Sequence, residues 1–210
     1  MGGSYPVPAR AHRVEHVVAR SRFVTTIAHA ASPAAAHAFV ARIREELPDA
    51  THHCWAFVAG PPGDTARIGM SDAGEPRGTA GRPMLTILLH GGVGELVAVG
   101  SRWFGGTRLG TGGLARAYAA GVRQALETLP TELKVARVGF EVAVAYARVA
   151  ALRQLLAELG AVVEEESYAA QVRYRVAVPE EAVPDFARRV ADLTSGEGLA
   201  REVPPDPGPT

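Results

Sequence analysis

The segment SDAGEPRGTAGRP at residues 71–83 and the segment RWFGGTRLGTGGL at residues 102–114 decide how the first half of this chain folds. Each combines glycines, which adopt backbone angles that other residues avoid, with charged side chains that can meet a ligand. Each also precedes a helix-like apolar stretch. We interpret the two segments as paired loops that form one candidate site.

The residues before the first glycine segment predict a strand pair and a helix. Dense Val, Phe, Thr and Ile over residues 12–28 indicate two strands bent near Ser21. Ser32 is a suitable N-cap and Pro33 a suitable first residue for a helix, which apolar residues at helical spacing extend until Pro48 stops it.

Strands and helices also alternate around the two glycine segments. Residues 52–59 predict a central strand with both faces covered, because polar and apolar side chains occur on each face. We expect a helix over residues 84–89 with Thr79 as its N-cap, a strand over residues 95–103, and a helix from Gly113 onward. The last helix carries one apolar stripe, formed by Leu114, Tyr118, Val122, Leu126 and Leu129.

Pro130 and Thr131 predict a linker, after which the element order becomes β-α-β-β-α-β. The predicted elements are strands at 137–144, 161–166, 169–178 and 199–203, and helices at 147–159 and 180–193. This order is typical of a ferredoxin-like domain, in which two helices cover one face of a four-stranded antiparallel sheet. The fold class is therefore α+β, with domains at residues 12–130 and 136–203 and a disordered tail at 204–210.

Composition indicates a globular cytoplasmic protein. The chain has 210 residues, of which 47% are hydrophobic, and no apolar run is long enough to cross a membrane. Cys54 is its only cysteine, so no internal disulfide forms. The net charge is zero, but residues 1–134 carry 14 basic and 10 acidic side chains, whereas residues 135–210 carry 8 and 12. The first half is thus compatible with an anionic partner, and the overall neutrality counts against a strong nucleic-acid binder.

The run His52-His53-Cys54 resembles a metal or nucleophile cluster, but its spacing argues against one. Adjacent strand residues point to opposite faces, so only His52 and Cys54 share a face, and two ligands do not hold zinc. A third ligand would have to come from Asp72, Glu75 or His90. We interpret the histidines and the cysteine as packed residues and predict no metal and no cofactor.

Asp72 and Glu75 are three residues apart, so they form either a paired carboxylate or caps for backbone N–H groups of the turn. The helix starts near Gly78–Gly81 and Gly110–Gly113 are expected to attract anions through their free N–H groups. Neither segment has the lysine of a phosphate-binding loop or the glycine spacing of a dinucleotide fold, which argues against a nucleotide cofactor.

Motifs in a fixed order over residues 14–130 resemble those of the YigZ/IMPACT family. They are RF at 22–23, the helix after Pro33, THHC at 51–54, SDAGEP at 71–76, GTAG at 78–81, PM at 83–84, RWFGG at 102–106, LGTGGL at 109–114 and RAY at 116–118. Bacterial members usually carry Arg-Tyr-Tyr-Gly-Gly where this chain has RWFGG, so the aromatic rings remain at Trp103 and Phe104 without the hydroxyls.

The resemblance implies two folds and a class of function. The N-terminal domain is expected to have the ribosomal-protein-type α+β fold also found in the fourth domain of translocation GTPases, followed by a ferredoxin-like domain. Eukaryotic relatives restrain a kinase that phosphorylates a translation initiation factor. Nucleic-acid or ribosome binding by bacterial relatives is an expectation from the fold.

The first functional hypothesis is a regulatory binding protein linked to translation, which engages RNA, the ribosome or an acidic protein partner. Trp103 and Phe104 are candidates for base stacking, although we expect Phe104 to pack in the core. The other candidate ligand-binding residues are Gly78, Thr79, Gly81, Arg102, Gly105, Gly106, Arg108, Gly110, Thr111, Gly112, Gly113 and Arg116.

The alternative hypothesis is a hydrolase in which Asp72 and Glu75, with His52 or His53, act as acid and base near the loops. The third hypothesis is a protein-interaction module, with the ferredoxin-like domain as the docking element. The sequence does not determine the oligomeric state.

Overall fold

A computed structural model describes residues 3–194 and 201–203, and the predicted tail at 204–210 lies outside the described residues. The chain forms two compact units, one of which comprises Tyr5–Lys134, while the described residues from Val135 onward belong to the other.

The first unit is built on a five-stranded antiparallel sheet with the strand order β2-β3-β6-β4-β5. Its strands are β2 (His12–Val18), β3 (Ser21–His29), β4 (His52–Val58), β5 (Ile68–Ser71) and β6 (Leu96–Trp103). Three helices complete it, namely α1 (Pro33–Glu46), α2 (Gly81–His90) and α3 (Gly110–Glu127). The predicted strand pair around Ser21 is therefore a β2–β3 hairpin, and β4 pairs with a strand on each side, as expected.

The helices cover both faces of this sheet. Helices α2 and α3 pack on the face that carries Phe23, Cys54 and Ala98, whereas α1 packs on the face that carries Phe57 and Val97. The predicted alternation of β4 is confirmed, because Cys54 and Phe57 belong to these two separate cores. Four members of the predicted stripe lie in α3 and face the first core, with Leu126 partly buried and Leu114, Tyr118 and Val122 buried. Leu129 packs on the same core but follows the end of the helix.

Helix α1 begins as the sequence predicts, since the Ser32 hydroxyl accepts a hydrogen bond from the N–H of Ala35 and Pro33 is the first helical residue. The prediction of Thr79 as the N-cap of α2 is wrong. The N-cap position is Ala80, and the Thr79 hydroxyl donates instead to the carbonyl oxygen of Pro76 at 2.6 Å. Helix α3 begins at Gly110, three residues earlier than expected.

The predicted linker at Thr131 is also wrong, because Thr131–Lys134 forms strand β7 and pairs with strand β1 (Tyr5–Pro8). The carboxylate of Glu95, which is buried, accepts hydrogen bonds from Tyr5, His29 and Lys134 and so ties this two-stranded ribbon to β3. Such a long-range ion pair cannot be read from local propensity.

The second unit has a four-stranded antiparallel sheet with the strand order β11-β8-β10-β9. Its elements are β8 (Arg137–Val144), α4 (Val149–Glu158), β9 (Val162–Tyr168), β10 (Val172–Pro179), α5 (Val183–Thr194) and β11 (Arg201–Val203). The fourth, first, third and second strands of the unit are thus neighbours in that order, which with two helices is the ferredoxin-like arrangement that the sequence predicts. Short 3₁₀ turns at Tyr146–Arg148 and Glu180–Ala182 precede the two helices.

Candidate functional site

The two glycine segments meet at one end of the N-terminal sheet. Strand pairing aligns Phe23, Arg102 and His52 across β3, β6 and β4, close to the ends of these strands. Arg102 opens the second glycine segment, and its guanidinium donates to Glu75 of the first at 2.8 Å. The antiparallel pairing thus brings together two segments that are separated in the sequence.

Asp72 fixes the first glycine loop by capping α2. Its carboxylate accepts hydrogen bonds from the backbone N–H groups of Gly78 at 2.7 Å and of Ala80 and Gly81 at 2.9 Å each. Burial alone would raise the pKa of this carboxyl, but the three N–H donors and Arg77 outweigh it and hold the pKa below its usual value. The capping interpretation of Asp72 therefore applies.

This cap corrects one expectation for Gly78, Thr79 and Gly81. The N–H groups that were expected to attract an external anion already serve an internal carboxylate, and Thr79 is buried. Gly81 further lies so close to β5 that a side chain there would place its Cβ 2.9 Å from the backbone of Ser71. The N–H groups of Gly78 and Gly81 are therefore not free to bind an external anion.

Glu75 is the centre of a buried polar network. Its Oε1 atom accepts hydrogen bonds from Arg102 Nη1 and from the Tyr118 hydroxyl, each at 2.8 Å. The second guanidinium nitrogen of Arg102, Nη2, donates to Ser21 Oγ at 3.2 Å. Arg102 is only 6% exposed and Glu75 8% exposed, so the structure places neither where it would contact a large ligand.

Cys54 lies beside this network with its thiol directed to the carbonyl oxygen of Asp72 at 2.8 Å. Burial raises the pKa of the Cys54 thiol to about 12, and burial likewise raises the pKa of the Tyr118 hydroxyl. Both groups therefore stay protonated at neutral pH. A thiol in this state is neither a nucleophile nor a metal ligand.

The candidate acid–base residues are not brought together as a catalytic group. The Nδ1 atom of His52 lies 3.0 Å from the carbonyl oxygen of Ala73, to which it must donate because a carbonyl only accepts. His53 is on the opposite face of β4, where its Nδ1 is 3.0 Å from Ser101 Oγ, and burial lowers its pKa. Asp72 and Glu75 hold the loop and the buried network.

His90 forms its hydrogen bond within α2, to the carbonyl oxygen of Thr86. Among the residues that the structure describes, no three His, Cys, Asp or Glu side chains lie close enough together to hold a metal ion.

The second glycine segment presents one aromatic ring to solvent. Phe104 is 51% exposed, so the expectation that it packs in the core is wrong. Trp103 is half-buried, with its indole N–H donating to Asp49 at 2.9 Å and the guanidinium of Arg22 stacked 4.4 Å from the ring centre. Phe104 is therefore the ring of the pair that is open to a ligand.

An open cleft of about 450 Å³ lies between the β2–β3 turn and the beginning of α3. Val18 and Ala19 form one side, and Arg108, Gly113 and Arg116 belong to the other. Both arginines are exposed, and neither forms an ion pair or hydrogen bond with any residue that the structure describes. No side chain caps the N-terminus of α3, so Gly110, Thr111 and Gly112 begin the helix as exposed residues. We call this the arginine cleft.

Sequence reasoning missed three residues that shape this end of the domain, namely Arg20, Ser21 and Tyr118. The sequence places Tyr118 in the apolar stripe and in the RAY motif at residues 116–118, and neither pattern predicts the buried polar partner of its hydroxyl. Arg20 and Ser21 lie at the bend of the predicted strand pair, where local pattern gives no signal for contacts with the second glycine loop.

Comparison with known proteins identifies the family. Residues 19–126 match the model of the Impact N-terminal domain, and residues 142–197 match a domain of unknown function, DUF1949. The chain belongs to the IMPACT family. It is 43% identical over 193 residues to "IMPACT family member YigZ" of Escherichia coli (strain K12), covering 92% of this chain and 95% of that protein.

Other IMPACT family members are similar along most of their length. An IMPACT family member of Haemophilus influenzae is 40% identical over 192 residues, covering 91% of this chain and 93% of that protein. "IMPACT family member YvyE" of Bacillus subtilis (strain 168) is 31% identical over 200 residues, covering 95% and 91%. A crystal structure of a hypothetical protein superposes with a TM-score of 0.72 at 40% identity, covering 98% of this chain and all of that one. The α+β fold is therefore that of the family.

None of the helices in the described part of the chain combines the length and the apolar character needed to cross a bilayer.

Proposed function

We propose that this IMPACT-family protein is a regulatory, cytoplasmic RNA-binding protein linked to translation, and that the arginine cleft together with Phe104 is its RNA contact. The observation that carries the proposal is an aromatic ring, 51% exposed, in the same loop as Arg108, whose guanidinium has no partner among the described residues. An exposed ring in the same loop as an unpartnered arginine suits a flexible strand, because bases stack on the ring while arginines meet phosphates.

Charge supports the same ligand class. Arg108 and Arg116 line the cleft, and none of its lining residues is acidic. The exposed start of α3 adds backbone N–H groups and the positive end of a helix dipole next to these side chains. The first 134 residues carry 14 basic and 10 acidic side chains, so the surrounding field also favours a polyanion.

Binding of a fluorescein-labelled single-stranded oligouridylate, followed by fluorescence anisotropy, tests this proposal. We expect micromolar affinity at about 50 mM salt and a steep loss at about 200 mM, because each phosphate contact releases condensed counterions. Phe104→Ala should weaken binding by about tenfold through loss of one stacked base. Arg116→Gln should also reduce the slope of log affinity against log salt by about 0.7.

Arg123→Gln is the matched control, because Arg123 is an exposed arginine of the same helix that lines a different cleft, with Thr86 and His90. The affinity of Arg123→Gln for RNA should remain within about twofold of that of the parent protein. The proposal is contradicted if the parent protein shows no salt-sensitive RNA binding. It is also contradicted if Arg116→Gln and Arg123→Gln lose RNA affinity equally.

A further inference from the structure

The two-residue turn between β2 and β3 holds two non-glycine residues in a left-handed backbone conformation. The φ angle is 45° at Ala19 and 65° at Arg20. Two-residue hairpin turns with positive φ at both central positions usually contain Asn and Gly, since a Cβ is strained in this region. A side chain at position 20 is therefore retained against the conformational preference of its own backbone.

The second glycine loop holds this turn in place from the side. Gly105 lies against the turn so closely that a Cβ there would be 1.9 Å from the carbonyl oxygen of Arg20. The N–H of Gly105 also donates to Ser21 Oγ at 3.2 Å, and Ser21 is fully buried. The backbone of Arg20 is thus fixed next to Gly105, the residue that follows Phe104.

The guanidinium of Arg20 has no polar partner in the described part of the chain. Arg20 is exposed, and it forms no hydrogen bond or ion pair with any residue in the described part of the chain. In contrast, its neighbour Arg22 pairs with Glu15 at 2.9 Å and stacks on Trp103. The strained backbone at position 20 is therefore not offset by a hydrogen bond or ion pair between its own side chain and the described residues.

Arg20 directly follows Val18 and Ala19, which form one side of the arginine cleft. Arg108 and Arg116 line the opposite side, and no acidic side chain lines the space between. Two arginines that line one cleft without an acidic residue make its electrostatic potential positive, and this favours an anion as the occupant.

We propose that Arg20 is a third RNA-contacting arginine, which meets a phosphate of single-stranded RNA from the hairpin side of the cleft opposite Arg108 and Arg116. This inference rests on the proposed function and adds to it a residue that the sequence motifs did not indicate. A phosphodiester chain is the favoured occupant, because Phe104, whose ring is exposed, directly precedes Gly105 in the chain, and Gly105 contacts the backbone of Arg20. An acidic protein segment would use the arginines but has no base to stack there.

The test compares Arg20→Gly with Ala19→Gly. Both changes remove a Cβ from a left-handed position, so neither should lower the melting temperature, and relief of strain should raise it. Only Arg20→Gly removes a guanidinium. We expect Arg20→Gly to lower affinity for labelled oligouridylate about tenfold at about 50 mM salt and to reduce the salt slope by about 0.7, with Ala19→Gly within about twofold of the parent protein.

The outcomes separate this inference from the proposal on which it rests. If Phe104→Ala weakens RNA binding but Arg20→Gly binds as tightly as the parent protein, Arg20 is not a contact and the proposed function stands. If both turn variants lose affinity equally, the shape of the turn matters and the Arg20 contact is wrong. If labelled oligoglutamate binds as tightly as RNA with the same dependence on Arg20, the occupant is an acidic protein segment. If the parent protein binds no RNA, both proposals fail.

Discussion

The guanidinium of Arg102 and the carboxylate of Glu75 form a buried ion pair, with 2.8 Å between Nη1 and Oε1. Their side chains are 7% and 3% exposed, and the pair joins the two glycine segments. Because Tyr118 of α3 and Ser21 of β3 bond to the same pair, three elements and the first glycine segment are joined through one contact. Arg102 and Glu75, which are candidate ligand-binding and catalytic residues in the sequence, therefore hold the two glycine segments together inside the domain.

Removal of one partner of this pair should be strongly destabilising. In Arg102→Met the Glu75 carboxylate stays buried with only the Tyr118 hydroxyl as a hydrogen-bond donor. We expect the free energy of unfolding to fall by about 3–5 kcal/mol, as measured by urea denaturation. The double variant Arg102→Met/Glu75→Met is the control.

That double variant should recover a large part of the loss, because it leaves no uncompensated buried charge. A double variant that is less stable than Arg102→Met would contradict this account and show that the two side chains are not coupled.

Asp72→Asn should weaken the cap of α2 and change the acid stability of the protein. The pKa of the Asp72 carboxyl is lower in the folded protein than its ordinary value of 3.8, so its contribution is present above that value and is lost as pH falls through the folded pKa. At pH 7 we expect Asp72→Asn to lose about 1–2 kcal/mol of stability. Its stability should then change less than that of the parent protein as the pH drops below about 4.

Thermal unfolding followed by circular dichroism from about pH 7 to about pH 2 measures this difference. Glu45→Gln is the control, because Glu45 is an exposed carboxylate of α1 with no hydrogen bond among the described contacts. A parent protein and an Asp72→Asn variant with parallel pH profiles would disprove the capping role.

Gly105 and Gly106 should respond differently to alanine, although they are neighbours. A Cβ at Gly105 would lie 1.9 Å from the Arg20 oxygen, so the loop or the turn must move. Gly106 has a φ of 84°, and a Cβ there would meet no atom within 4 Å beyond its chain neighbours, so only backbone strain opposes alanine. We expect Gly105→Ala to cost more than about 2 kcal/mol and Gly106→Ala about 1 kcal/mol.

Chemical denaturation of the two variants, side by side, gives both values. Equal costs would mean that the contact between Gly105 and Arg20 does not constrain the fold.

The sequence predicted regular elements well where the local signal is strong. The Ser32 cap, the β2–β3 hairpin and the ferredoxin-like order of the second unit follow from capping, alternation and element order. It failed for β1, β5 and β7, which have four residues each and too few positions to show a period. Each of them is defined by its pairing, β1 with β7 and β5 with β4.

By itself, the sequence determined the α+β class, the family and the presence of two glycine segments with arginines and aromatic residues. These properties are local or motif-based, so they need no knowledge of distant contacts. Only the tertiary structure decided which charges face solvent. Tertiary packing buries Arg102 against Glu75, while the strained turn, whose Ala19 lines the arginine cleft, leaves Arg20 exposed. Two arginines that look alike in sequence differ because burial depends on elements that lie far apart in the chain.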